Sequence, residues 1–223
     1  MTKNVLALAV HPDDETLGCG GTLLKHKSQG ADIHWLITTE ISAEEGFNCR
    51  QVHQRQDEIK QVAALYGFSE THHLNLPTTK VDTLPKGELV QKISEVFNRV
   101  QPETLYLPFH HDIHSDHRDI FEAAYSCTKT FRYPFIKRIY LMETISETNY
   151  APPFPDTSFI PNSYVDITDF FDKKLEIAAV YQSEMGNHPF PRSPETLRAL
   201  AMLRGTTAHC HYAESFMLIK EIR

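Results

Sequence analysis

The chain has 223 residues, 41% hydrophobic and 23% charged, with a formal net charge of −7. That balance describes one globular domain, residues 1–223, long enough to bury a large fraction of its surface. The negative sign argues against nucleic acid or an anionic membrane as the main partner, since both reward basic patches. No window reaches the roughly 20 apolar residues of a membrane span.

The first predicted element is a strand over about Asn4–Val10, whose unbroken run Val5-Leu6-Ala7-Leu8-Ala9-Val10 reads as buried on both faces. It ends abruptly in His11-Pro12-Asp13-Asp14-Glu15. Like charges so close are costly unless a partner or a cation relieves them, and open α/β sheets bind ligands at the carboxyl ends of their strands. A helix is expected from about Thr16 to Gln29, with Gly18, Gly20 and Gly21 allowing close approach to a sheet and Gly30 closing it. Ile33–Thr38 is a second buried strand with Trp35 in the core, and Ile41–Arg50 reads as a loop near the site.

A helix follows from roughly Gln51 to Tyr66, stopped by Gly67, then a short strand His72–Leu76 and an amphipathic helix Leu84–Val100. His72 and His73, without acidic neighbours in the pattern, are expected at the surface. The strand Leu105–Leu107 leads into Pro108-Phe109-His110-His111-Asp112-Ile113-His114-Ser115-Asp116-His117-Arg118, and a helix runs on to about Thr130. Ile139–Met142 is another strand. This alternation specifies a Rossmann-like three-layer α/β fold with a mostly parallel sheet.

The last third is less regular. Tyr150–Pro161 is a proline-rich loop, Asp169–Tyr181 a helix and Met185–Arg192 a second loop. Ser193-Pro194-Glu195 starts a helix that Gly205 is expected to end, and Tyr212–Ile219 closes the chain as a strand. The first residues do not read as a signal peptide, and Cys19, Cys49, Cys127 and Cys210 lack CxxC spacing, so reduced thiols in a cytoplasm are expected. The oligomeric state stays open, a homo-oligomer being compatible with this composition.

Thirteen histidines are many for this length, and the chemistry sits where they cluster with acids. On a turn after a strand, His11 and Asp14 can bind one ion while Asp13 stays free beside it. A catalytic zinc keeps about three protein ligands and a position for water; the third ligand is expected from His114 or His117. Imidazole and carboxylate together suit Zn2+, with Fe2+, Mn2+ or Co2+ as alternatives. The metal would acidify a water, Asp13 would take its proton, and a cationic donor, with His114 the candidate, would hold the oxyanion. Asp116 would fix the ring orientation of a histidine. Arg50 is a candidate for an anionic substrate group, and His209, in His209-Cys210-His211, for a pocket-lining contact.

These blocks carry a resemblance. Ala9-Val10-His11-Pro12-Asp13-Asp14-Glu15 followed by Thr16-Leu17-Gly18-Cys19-Gly20-Gly21-Thr22-Leu23 resembles the opening motif of the PIG-L/LmbE-like family of zinc-dependent N-deacetylases. His114-Ser115-Asp116-His117-Arg118 is similar to the family's His-x-Asp-His block, and Arg55-Gln56-Asp57-Glu58 to its Arg-x-x-Glu helix. Tyr181-Gln182-Ser183-Glu184 and Arg204-Gly205 with Tyr212-Ala213-Glu214-Ser215-Phe216 are similar to its closing segments. The resemblance implies His11, Asp14 and His117 as metal ligands, Asp13 as general base, His114 at the oxyanion and Arg55 on substrate or acetate. It implies a small N-acetylated amino sugar as substrate. The chain departs from the family pattern at Ser115, at Glu184 (where glutamine is common) and at His209-Cys210-His211.

Two other classes compete. Asp112-x-His114-x-Asp116-His117 stands one residue from the metallo-β-lactamase motif, but that fold needs neither the acidic turn after the first strand nor helices between most strands. A non-catalytic carbohydrate-binding protein would not need Asp13 and His114 intact.

Overall fold

The structure is a computed structural model and describes residues 4–223. Residues 1–3, part of the segment weighed above for a leader, lie outside the described residues. β1 (Asn4–Ala9) is the central strand, and every side chain from Val5 to Ala9 is inaccessible to solvent. A strand with no polar alternation must be covered on both faces. β1 pairs in parallel with β2 (Asp32–Glu40) on one side and β4 (Thr104–Leu107) on the other. β3 (Glu70–Pro77) adds in parallel to β2, and β5 (Arg138–Met142) to β4. The far edge turns antiparallel: β7 (Ala213–Glu221) pairs with β5, and β6 (Ser163–Asp166) with β7. The order is β3-β2-β1-β4-β5-β7-β6.

Helices cover both faces: α1 (Asp14–Ser28), α2 (Cys49–Tyr66), α3 (Lys86–Val100), α4 (Ser115–Ser126), α5 (Phe171–Ala178) and α6 (Pro194–Ala208). Because successive strand residues point to opposite faces, β1 feeds two cores. Leu6 and Leu8 join Leu89, Ile93 and Phe97 of α3 and Ile120 of α4. Val5, Ala7 and Ala9 join Leu23 of α1 and Val62 and Tyr66 of α2. Leu89, Ile93, Phe97 and Val100 recur at helical spacing, and full burial of each such side chain contributes roughly 1.5–3 kcal/mol. Trp35 is fully buried, as the sequence predicts, and so is Cys19.

This topology decides where a site can form. From β1 the chain winds outward through β2 and β3, then returns to place β4 on β1's other side. The carboxyl ends of β1 and β4 therefore flank the switch point, where open sheets leave a crevice.

α1 follows β1 at close quarters, and its glycines are there for that reason. A Cβ on Gly18 would stand 2.8 Å from Met142, and one on Gly21 2.8 Å from Ile167. The helix breaks its regular path at Cys19 (φ −145°). Two amides just past the break, Gly21 N–H and Thr22 N–H, donate instead to Glu214 of β7 at 2.9 and 2.7 Å. Lys174 of α5 donates to the same carboxylate at 2.7 Å and to the Leu17 carbonyl at 2.9 Å.

Three differences from these expectations stand out. α6 does not end at Gly205 but runs to Ala208, and His209 in the left-handed region (φ 57°) stops it. Gly205 stays helical because the returning chain lays the carbonyl oxygens of Cys210 and His211 2.7 Å from where a Cβ would sit. β6 was not expected, its residues, three half-buried and one exposed, carrying no alternation. His72 is only 8% exposed and stacks against His34 of β2, so its neighbour across the sheet, not its own sequence, buries it.

Candidate functional site

Asp14 opens α1, and its carboxylate accepts the Val10 and His11 amides, both at 2.9 Å, which β1 leaves unpaired at its end. Those two bonds fix the carboxylate at the sheet's edge. From β4, the loop through Asp112 brings His117 into the first turn of α4. His117 Nε2 lies 3.3 Å from Asp14 Oδ2 and 3.4 Å from His11 Nδ1, and His11 Nδ1 lies 4.0 Å from Asp14 Oδ2. Ligand atoms about 2.0–2.1 Å from a tetrahedral zinc stand roughly 3.3 Å from one another. The set of His11, Asp14 and His117 thus has the donor types and the spacing for one divalent ion.

The surrounding groups orient these donors. His117 Nδ1 bonds to Asp112 Oδ2 at 2.8 Å, which leaves Nε2 to the ion, and Asp112 Oδ1 accepts the Thr148 hydroxyl at 2.7 Å. On the far side of His11, Nε2 faces Asp116 Oδ2 at 3.4 Å. Asp116 is itself held by the Thr79 amide at 2.7 Å. Both rings have the carboxylate partner that metal-ligating histidines ordinarily keep. His11, His114 and Asp116 also stand close enough to share an ion. There, however, His114 Nδ1 already accepts the Asp116 amide at 3.2 Å.

Burial pushes the Asp14 carboxyl up, but the His117 and His11 imidazoles outweigh it and hold Asp14 well below the usual carboxylate range. Burial opposes charge on His117, yet Asp14 and Asp112 raise it well above an ordinary histidine. The pocket is built to hold positive charge among carboxylates.

Asp13 stands apart from the convergence. Its φ of 151° is strained for a residue with a side chain, and its carboxylate makes no cap bond to α1. It is 5% exposed, with Arg192 Nε 4.0 Å from Oδ2. Burial first, then Asp14 and Glu184, push its carboxyl well above the usual range. His114 caps α4 through Nδ1, so its proton sits on Nε2. Burial, then His11 and His117, lower its pKa to about 4. That environment favours a neutral ring with Nε2–H free to donate over the cationic donor expected from the sequence.

A cleft of about 800 Å³ opens over these groups, taking in His11, Asp13, Asp14, His114 and Arg55. Arg55 is 8% exposed and ion-paired with Glu184, with Glu58 Oε2 3.4 Å from its Nε, while its NH2 donates to Ser183 Oγ at 3.1 Å. Arg50 and His209 do not line this cleft. Arg50, in the first turn of α2, faces an outer groove of about 750 Å³ with His53 and Asp57. His209 ends α6, exposed, because its left-handed backbone is what turns the chain.

Sequence reasoning passed over Asp112, Glu147, Thr148 and Arg192. Asp112 had a signal, a carboxylate five residues before His117 in the same histidine-rich turn. The other three come from loops whose sequences carry no local pattern.

The parallel sheet, with this donor set at its switch point, defines a Rossmann-like α/β protein with a candidate metal centre. Residues 6–128, more than half of the chain, match the PIG-L family, described as GlcNAc-PI de-N-acetylase. The chain belongs to that family. It is 25% identical over 228 residues to a diacetylchitobiose deacetylase of Thermococcus kodakarensis, covering 99% of this chain and 84% of that one. The N,N'-diacetylchitobiose deacetylase structure from Pyrococcus horikoshii superposes with a TM-score of 0.78 at 24% identity, covering 98% and 84% of the two chains. The 4-carboxy-2-hydroxymuconate hydratase GalB of Pseudomonas putida KT2440 has the same fold, with a TM-score of 0.74 at 19% identity over 99% and 98%.

Proposed function

We propose that this chain is a metal-dependent hydrolase that removes the N-acetyl group from an N-acetylated amino sugar or glycoconjugate of the N-acetylglucosamine type, releasing acetate and the free amine. The observation that carries this reading is the convergence of His11 Nδ1, Asp14 Oδ2 and His117 Nε2 within 3.3–4.0 Å, beside a buried carboxylate that is not part of the set. Family membership and the deacetylases among its relatives support the same reaction.

His11, Asp14 and His117 would hold the cation, with Zn2+ the best fit to two imidazoles and a carboxylate and Fe2+, Mn2+ or Co2+ as alternatives. A cation held there supplies Lewis acidity, bringing the pKa of water from 15.7 towards about 7. Asp13 accepts the proton of the attacking water as its oxygen adds to the amide carbonyl carbon. His114 donates a hydrogen bond from Nε2–H to the carbonyl oxygen, where negative charge develops, and keeps its proton. Asp13 then returns a proton to the sugar nitrogen as the C–N bond breaks, leaving acetate and amine. Asp112 and Asp116 hold the rings of His117 and His11 throughout.

Residues 1–223 act as one domain in this reading. Its four free thiols fit a reducing compartment such as the cytoplasm. Acetate release from N-acetylglucosamine derivatives, before and after reconstitution with zinc, tests the activity. Release that depends on zinc supports it; bound zinc with every amide intact overturns it.

A further inference from the structure

Two features of the cleft are left unused by deacetylation itself. The first is electrostatic. Its two lining arginines share one carboxylate: Glu184 accepts from Arg55 through Oε1 and from Arg192 through Oε2, the latter at 2.9 Å. Arg55 also faces Glu58 at 3.4 Å, and Arg192 faces Glu147 at 3.9 Å. Each guanidinium is thus already matched, and an incoming phosphate or carboxylate would have to displace a carboxylate and leave it unpaired. Lys60, on the same lining, is 74% exposed beside Asp57.

The second feature is apolar. Ile41, Phe47 and Val52 line the cleft half-buried, yet they pack into none of the four apolar clusters among the described residues. Ile41 and Phe47 come from the segment after β2, and Val52 from the first turns of α2, with Ile59 two turns further along the same wall. Such a wall beside a reactive centre has an apolar ligand surface to cover.

We infer that Glu184 makes this a site for an uncharged N-acetylglucosaminide with an apolar alkyl or aryl aglycone lying along Phe47, rather than for one carrying phosphate or carboxylate. This rests on the deacetylation reading and names its substrate class.

The test compares kcat/KM of the zinc-loaded protein for phenyl N-acetyl-β-glucosaminide, free N-acetylglucosamine and N-acetylglucosamine 1-phosphate. The phenyl glycoside should exceed the phosphate by at least about tenfold. Phe47→Ser should erase roughly tenfold of that advantage through KM, with the free sugar unchanged, and Glu184→Gln should raise the relative rate on the phosphate. A wild-type preference for the phosphate, or a phenyl advantage untouched in both variants, overturns the inference. Should no substrate release acetate, the hydrolase reading fails on its own. Calorimetric binding of phenyl N-acetyl-β-glucosaminide against N-acetylglucosamine 1-phosphate, both then left intact, decides the cleft's preference.

Discussion

At the scale of single residues, the proposed function divides the site between donors that would hold a cation and a carboxylate, Asp13, that would move a proton. Asp13→Asn keeps the shape of the side chain but removes the base. It should cut acetate release by about 10²–10⁴-fold, measured at saturating zinc. Asp112 works through His117: with its Oδ2 bond to Nδ1 at 2.8 Å weakened in Asp112→Asn, zinc affinity measured by chelator competition should fall about 10–100-fold. His11, Asp13, Asp14, His114 and His117 were all legible as candidates in the sequence, because each lies between a buried strand and the helix that follows it, in a cluster of types that chemistry uses. Arg192 and Glu147 were not. Arg192's place beside Asp13, and Glu147's beside Arg192, depend on how loops over a hundred residues from Asp13 in sequence fold back, and a lone arginine or glutamate in a loop has no period to betray it.

At the scale of elements, α1 is the piece on which the site leans, since it begins with Asp14, a candidate ligand, and bends at Cys19. The sequence announced a close approach through Gly18, Gly20 and Gly21, and the structure supplies what they approach. Gly21→Ala would drive a methyl into Ile167 and should cost about 1–3 kcal/mol in chemical denaturation. The bend itself was invisible, because its cause is Glu214, on a strand 193 residues away from Gly21. Glu214→Gln would leave Lys174, 4% exposed, charged without its partner, and should destabilise the fold by roughly 3–5 kcal/mol. Lys60→Ala, breaking an ion pair whose two side chains are 74% and 68% exposed, should shift stability by no more than about 0.5 kcal/mol. The missed β6 and the late end of α6 have one physical reason: each is set by contact with β7 or the turn before it, not by its own residues.

At the scale of the whole molecule, the fold class was the most legible property, since buried apolar runs alternating with amphipathic helices specify a mostly parallel α/β sheet. Fold alone does not name the reaction, and the hydratase on the same scaffold makes that concrete. The site must carry the assignment. Away from it, burial lowers the pKa of His26 to about 4 where it meets the Tyr106 hydroxyl at 2.9 Å. The folded protein keeps this ring neutral while the unfolded chain protonates it near 6.5, so the stability it confers is complete above about pH 6.5. It is lost as pH falls towards 4, by roughly 3 kcal/mol. His26→Gln should flatten the pH dependence of urea unfolding across that window; an unchanged slope would place the titrating group elsewhere.

The central claim is that the cation set and Asp13 form one hydrolytic centre with divided roles. The most direct measurement counts zinc and released acetate in the same samples of wild type and Asp13→Asn, with an N-acetylglucosaminide as substrate. Equal zinc in both proteins, with acetate released only by the wild type, is the predicted result. Zinc lost together with activity in Asp13→Asn would make Asp13 a ligand and contradict the account.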